Sequence, residues 1–168
     1  MNIREALLEV HSKAQAEKIC RYVGDDPRRF AELMKHMLGP DYRLSQRAAY
    51  PLSYCVQRHP ELIGPYWGKL AGQLEREDAP AAVRRSVARL LQFVDVPKRY
   101  GGRIFDACYN RVADPAETVA VRCFSMSVAA KIAKGQPALL DELRLVATKH
   151  PETLTAGLRS RMRRVLGV

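Results

Sequence analysis

The chain has 168 residues, with 28 Lys and Arg against 18 Asp and Glu, a formal charge of +10, and 47% hydrophobic and 27% charged residues. That balance is too apolar for a disordered chain and fits a domain with its own core. No apolar run nears the roughly 18 residues of a membrane span. Met1–Glu5 leads into charged residues without a signal-peptide core, and Cys20, Cys55, Cys108 and Cys123 form no CxxC pair, so a membrane protein, a disulfide scaffold and a Cys-rich zinc module are excluded and a cytoplasmic protein with reduced thiols is expected.

Proline suits the first turn of a helix, where its missing N–H costs nothing. Prolines punctuate this chain in two series, Pro40, Pro80, Pro115, Pro151 and Pro27, Pro60, Pro97, Pro137. They predict nine helices, the first over 2–22. The second, 27–38, carries Phe30, Leu33, Met34 and Met37 on one stripe. Next come 41–58, and 60–76 with Leu62, Ile63, Tyr66, Leu70 and Leu74. The helix over 80–94 aligns Val83, Val87, Leu90, Leu91 and Val94, and that over 97–112 aligns Tyr100, Ile104, Cys108 and Val112. Val121, Phe124, Val128 and Ile132 define 115–133, and 137–148 and 151–166 complete the series. The spacing is helical throughout and no strand alternation occurs. With no linker or low-complexity tract, residues 1–168 read as one all-α domain.

An internal repeat organises these helices. Arg47, Arg84, Arg122 and Arg159 recur 37, 38 and 37 residues apart. The segments Asp78-Ala79-Pro80-Ala81-Ala82-Val83-Arg84 and Asp114-Pro115-Ala116-Glu117-Thr118-Val119-Ala120-Val121-Arg122 carry a proline before Val-Arg. Asp41 and Asp78 stand six residues before Arg47 and Arg84, whereas Ala116 and Thr153 hold that place before Arg122 and Arg159. These features resemble HEAT repeats. The resemblance implies a right-handed superhelical α-solenoid of about four to five helix pairs, with repeats near 1–38, 41–76, 79–112 and 114–148 and a terminal helix at 151–166. It also implies a convex layer of first helices and a concave, partner-binding layer of second helices. Arg47, Arg84, Arg122 and Arg159, with Asp41 and Asp78, are expected to form an ion-pair ladder that fixes stacking.

Charge is the most informative polar feature. Residues 79–113 hold seven Lys and Arg against two Asp and Glu, and 114–168 hold nine against five. The cluster expected to meet a partner is Lys98, Arg99, Arg103 and Arg111, beside the apolar stripe of 97–112, joined in one groove by Arg144 or Arg161. Trp67, the single tryptophan, falls on an apolar stripe and reads as core. Gly64, Gly68 and Gly72 are read as allowing close packing of a neighbouring helix. His59 and His150 read as turn residues. No HExxH, Cys/His metal spacing, GxSxG or phosphate loop is present, so neither metal nor cofactor is expected.

Two functions follow. The first is a non-catalytic scaffold or adaptor, binding a protein with an acidic surface through the concave layer. The second is nucleic-acid binding through a basic concave groove. In architecture alone, the chain is similar to the HEAT-like DNA glycosylases that act on alkylated bases. No Asp lies one turn from Trp67, and position 71 is Ala71.

Overall fold

The computed structural model describes all 168 residues and contains ten α-helices and no strand. Two helices, α1 (Ile3–Glu9) and α2 (Lys13–Val23), replace the single one expected over 2–22. Val10 is extended and ends α1, and the Ser12 hydroxyl accepts from the Gln15 amide at 3.2 Å to open α2. The next two helices, α3 (Pro27–Met37) and α4 (Tyr42–Arg58), are capped by the carboxylates of Asp26 and Asp41. Residues 60–76 do not form one α-helix. Pro60–Tyr66 winds as 3₁₀ turns, and α5 (Trp67–Glu75) follows. Pro65, within the 3₁₀ segment, has no N–H to donate to an α-helical ladder.

The chain continues with α6 (Ala81–Leu91), α7 (Lys98–Ala113), α8 (Val119–Ile132), α9 (Pro137–Thr148) and α10 (Ala156–Leu166). Pro80 and Pro97 stand one residue outside their helices, at the cap. Both α8 and α10 begin later than expected because threonines, Thr118 and Thr155, cap them. Pro115 lies in the turn before α8, and Pro151–Thr153 is a lone 3₁₀ turn.

The helices stack in two layers. In the first layer α2, α4, α6, α8 and α10 each pack on the next. In the second, α5 packs on α7 and α7 on α9, while the Phe30 ring of α3 meets Tyr66 at 5.7 Å. One continuous core of 44 buried residues runs from Ile3 to Leu166. Each Leu or Ile wholly removed from water there contributes about 1.5–3 kcal/mol. No helix pair could bury its apolar stripe alone, so the stacking itself holds the fold together. Trp67 belongs to this core, 5% exposed, and stacks on Tyr100 at 6.3 Å to join α5 to α7.

Arg47, Arg84 and Arg122 join separate elements, but not through the expected aspartates, and Arg159 reaches only the turn before its own helix. Arg47 Nη1 donates to the carbonyls of Leu7 and Leu8, both at 2.9 Å. Arg84 donates to the Glu77 and Ala79 carbonyls and to Glu117 Oε2. Arg122, 2% exposed, donates to the Val112 carbonyl at 3.3 Å and Thr153 Oγ1 at 2.9 Å. Arg159 donates to the Leu154 carbonyl at 3.0 Å. Asp41 is occupied in capping α4, and Asp78 pairs with Arg76 at 2.8 Å on the surface. The physical reason is local. For Arg47 and Arg122 the acceptors lie in the last turn of α1 and α7, which leaves carbonyls without partners and carries the negative end of the helix dipole. Arg84 and Arg159 instead bond carbonyls of the turns that precede their own helices.

Candidate functional site

Three depressions follow one another along the second layer. The first, about 630 Å³, lies between α3 and α5 and is edged by Lys35, Lys69 and Arg76. The second, about 400 Å³, lies between α5 and α7, with Glu75, Arg103, Asp106 and Arg111 among its walls. The third, about 590 Å³, opens where the end of α6 meets α7, α8 and α9. Its apolar floor includes Leu91, Phe105, Val128 and Ile132, and its polar edge is Asp95, Lys98, Asp106, Lys131 and Gln136. Gly101 and Gly102 form the α7 wall. A Cβ on Gly102 would meet nothing within 4 Å, and one on Gly101 only Ile132 Cγ2 at 3.9 Å. Lys131 is tied to Asp95 at 3.2 Å and to the Val94 carbonyl.

The six cationic residues expected to meet a partner do not form one free groove. Arg103 donates through Nε and Nη2 to the two oxygens of Glu75, each at 2.7 Å, which holds that carboxyl below the ordinary range. Arg111 is largely buried and spends its donors on the carbonyls of Leu74 and Arg76, at the end of α5. Arg144 binds the Leu166 carbonyl at 3.0 Å and Asp141 at 2.7 Å. Arg161 belongs to the other layer, on α10, where Nη1 donates to Gln92 Oε1 at 2.8 Å and Ser127 Oγ at 2.6 Å. Lys98 and Arg99 remain exposed on α7, with the Arg99 guanidinium 4.9 Å from the Tyr100 ring centre.

The glycine stripe divides in two. Gly68 faces the Tyr100 hydroxyl, 3.9 Å from where a Cβ would stand, whereas Gly64 and Gly72 face open space. Close packing therefore accounts for Gly68 alone, and Gly72 lies in the wall of the first depression.

All four cysteines are buried and unbonded to one another. Arg58 Nη1 of α4 lies 3.4 Å from the sulfur of Cys20 on α2, and the Cys55 thiol of α4 acts on the same sulfur. No three His, Cys, Asp or Glu side chains gather as a metal site would require. No helix is long and apolar enough to cross a membrane.

A family model for the HEAT repeat domain matches residues 3–168. The chain belongs to the HEAT-repeat family. HEAT repeats are scaffolds that generally mediate protein interaction. No curated protein and no solved structure matches the chain. The family match includes α1 and α2, where the arginine and proline series is weakest.

Within this HEAT fold, charge is sorted by layer, which a count along the chain hides. Helices α4, α6, α8 and α10 carry three, three, two and four Lys or Arg and no Asp or Glu. Acidic side chains sit instead on α3, α5, α7 and α9, as Glu32, Glu75, Asp106, Asp141 and Glu142. Two half-buried arginines of α6, Arg85 and Arg89, are not marked by repeat position. The signal that finds them is the absence of any acidic residue from α4, α6, α8 and α10; α2, in the same layer, holds Glu17.

Proposed function

We propose that the chain is a non-catalytic HEAT scaffold that docks a protein partner on its second layer, across the cleft between α7 and α9. The observation that carries this reading is the build of that cleft. An apolar floor with a mixed-charge edge is the make-up of a protein-binding surface, where buried apolar anchors supply affinity and rim charges supply specificity. Gly101 and Gly102 leave one wall bare, so a partner's side chain can approach the α7 backbone. Lys98 and Arg99 stand at or beside this edge without a carboxylate of their own, which favours a partner presenting Asp or Glu there.

The test is capture of partners by the tagged chain from nuclease-treated host lysate, with wild type and Gly102→Phe side by side. The aromatic ring would fill the cleft without entering the core. A protein retained by wild type and lost by Gly102→Phe supports the reading. A partner retained equally by both sinks it. Charge reversal at Lys98 and Arg99 is expected to weaken the same complex, with a loss that grows as salt is lowered.

A further inference from the structure

The first layer presents a surface of a different kind. Tyr50 and Tyr54 lie one turn apart on α4, with ring centres 5.4 Å apart. Arg85 and Arg89 lie one turn apart on α6. The Arg89 guanidinium stands 5.0 Å from the Tyr50 ring centre, and that of Arg85 5.9 Å from Phe124 on α8. Arg161, on α10, also stands over Phe124, at 5.8 Å, with Arg164 one turn on. A row of alternating rings and guanidiniums therefore crosses four consecutive helices.

No carboxylate pairs with the arginines of this row. None of the four helices holds an Asp or Glu, and neither Arg85, Arg89, Arg161 nor Arg164 enters an ion pair. Arg89 Nε is buried without a hydrogen-bond partner. Burial and the neighbouring Arg85 charge both push the Arg89 pKa down, and burial and Arg164 do the same to Arg161. The rings attract the guanidiniums, but crowding like charges costs stability, and their mutual repulsion is relieved by a bound anion.

We propose that this face binds the phosphate backbone of nucleic acid, through Arg85, Arg89, Arg161 and Arg164. Helices in such a stack repeat every 8–10 Å, so the cations are presented at regular intervals to a polymer whose charge is also regular. Tyr50 and Phe124 are covered by guanidiniums, so they orient donors and are not free platforms for bases. Contact is then to phosphates and independent of base sequence. An acidic protein fits less well. The exposed large apolar side chains of these helices are Tyr42 and Val119, each at the first residue of its helix, and the row itself offers no apolar anchor.

The experiment is fluorescence anisotropy of a labelled, mixed-sequence DNA duplex of about 30 base pairs, titrated with the full chain at several salt concentrations. Wild type is expected to bind with affinity falling linearly on logarithmic axes as salt rises. Arg85→Glu/Arg89→Glu is expected to bind about tenfold more weakly or worse, with a salt slope shallower by roughly two. The charge-matched second-layer control, Lys98→Glu/Arg99→Glu, is expected to lose under about threefold. Equal loss in the control overturns the proposal, as does wild type that shows no salt-dependent binding. Polyglutamate that displaces the duplex as well as unlabelled DNA does, at equal charge, also overturns it in favour of an acidic polypeptide. If Arg85→Glu/Arg89→Glu loses its helical circular dichroism, the exposed Arg164→Glu variant decides. Affinity about threefold weaker supports the proposal, and unchanged affinity overturns it.

Discussion

Arg84 and Glu117 meet across 33 residues of chain, with Nε of the arginine 3.0 Å from Oε2 of the carboxylate. Glu117 leaves only 3% of its side chain exposed, and Arg111 Nη1 approaches the same oxygen at 3.8 Å. Its other oxygen accepts from the Thr118 amide at 2.8 Å. One carboxylate, in the turn before α8, thus joins α6 of the first layer to α7 of the second. Removing one partner from a buried pair leaves the other charge uncompensated, at a cost of about 3–5 kcal/mol. Glu117→Ala is expected to lose an amount in that range in urea unfolding. Glu117→Gln, which keeps an acceptor for Arg84, is expected to lose less. Equal stability of Glu117→Ala and wild type would show that the pair merely offsets its own desolvation.

The arginine–carbonyl contacts predict an order among the repeats. Arg47 makes two bonds of 2.9 Å to the end of α1, whereas exposed Arg159 makes one of 3.0 Å to Leu154. A charged hydrogen bond contributes about 1.5–3 kcal/mol when shielded and less at the surface. Arg47→Ala is expected to cost about 2–3 kcal/mol and Arg159→Ala under about 1 kcal/mol. Denaturant midpoints of the two variants check the order. The reverse order would contradict a role for carbonyl docking in stacking.

Helix identity and the repeat were legible because apolar spacing and proline placement are local properties of the chain. Phe30, Leu33, Met34 and Met37 had to share a face, and they are all buried. The break between α1 and α2 was also written in the chain, as Ser12 followed three residues later by Gln15, the spacing of a helix cap. Partners of charged groups were not legible. Which carboxylate reaches Arg84 depends on how two hairpins stack, and Glu117 sits five residues before Arg122, outside the register set by Asp41 and Asp78. The same holds for Arg103 and Arg111, whose partners on and just beyond α5 lie about thirty residues away. Their positive charge was visible in the sequence; its neutralisation was not.

The Cys20–Cys55 pair gives stability a pH dependence of definite sign. The Cys55 hydrogen bond, then the charge of Arg58, bring the Cys20 thiol down to about 6 against the opposing effect of burial. The hydrogen bond to Cys20, with burial, pushes Cys55 up. From about pH 6 to the ordinary thiol range near 9, the folded pair has released one proton and the unfolded chain none. The unfolded state therefore binds more protons, and stability rises with pH across that window. Above it the unfolded chain loses both protons while the folded pair keeps one, and stability falls again. Urea midpoints under reducing conditions, with ultraviolet thiolate absorbance, measure this directly. Cys55→Ala is expected to flatten the rise, and a flat wild-type profile would refute the coupling.

Gly101 and Gly102 predict a stability gain that opposes function. Both lie inside α7, where glycine is less favourable than alanine by about 0.5–1 kcal/mol because it holds more backbone freedom when unfolded. The space beside them is open, with only the Ile132 methyl at 3.9 Å from a Cβ on Gly101. Sterics therefore give no reason for glycine at either place. Gly102→Ala is expected to raise stability by about 0.5–1 kcal/mol, seen as a higher denaturant midpoint with an unchanged slope. If the cleft beside α7 is where a partner docks, the same methyl occupies part of its wall, and partner affinity is expected to fall as stability rises. A variant that is more stable and binds as tightly as wild type would place the docking contact elsewhere on the second layer. One that is less stable would show that α7 needs the glycine backbone itself.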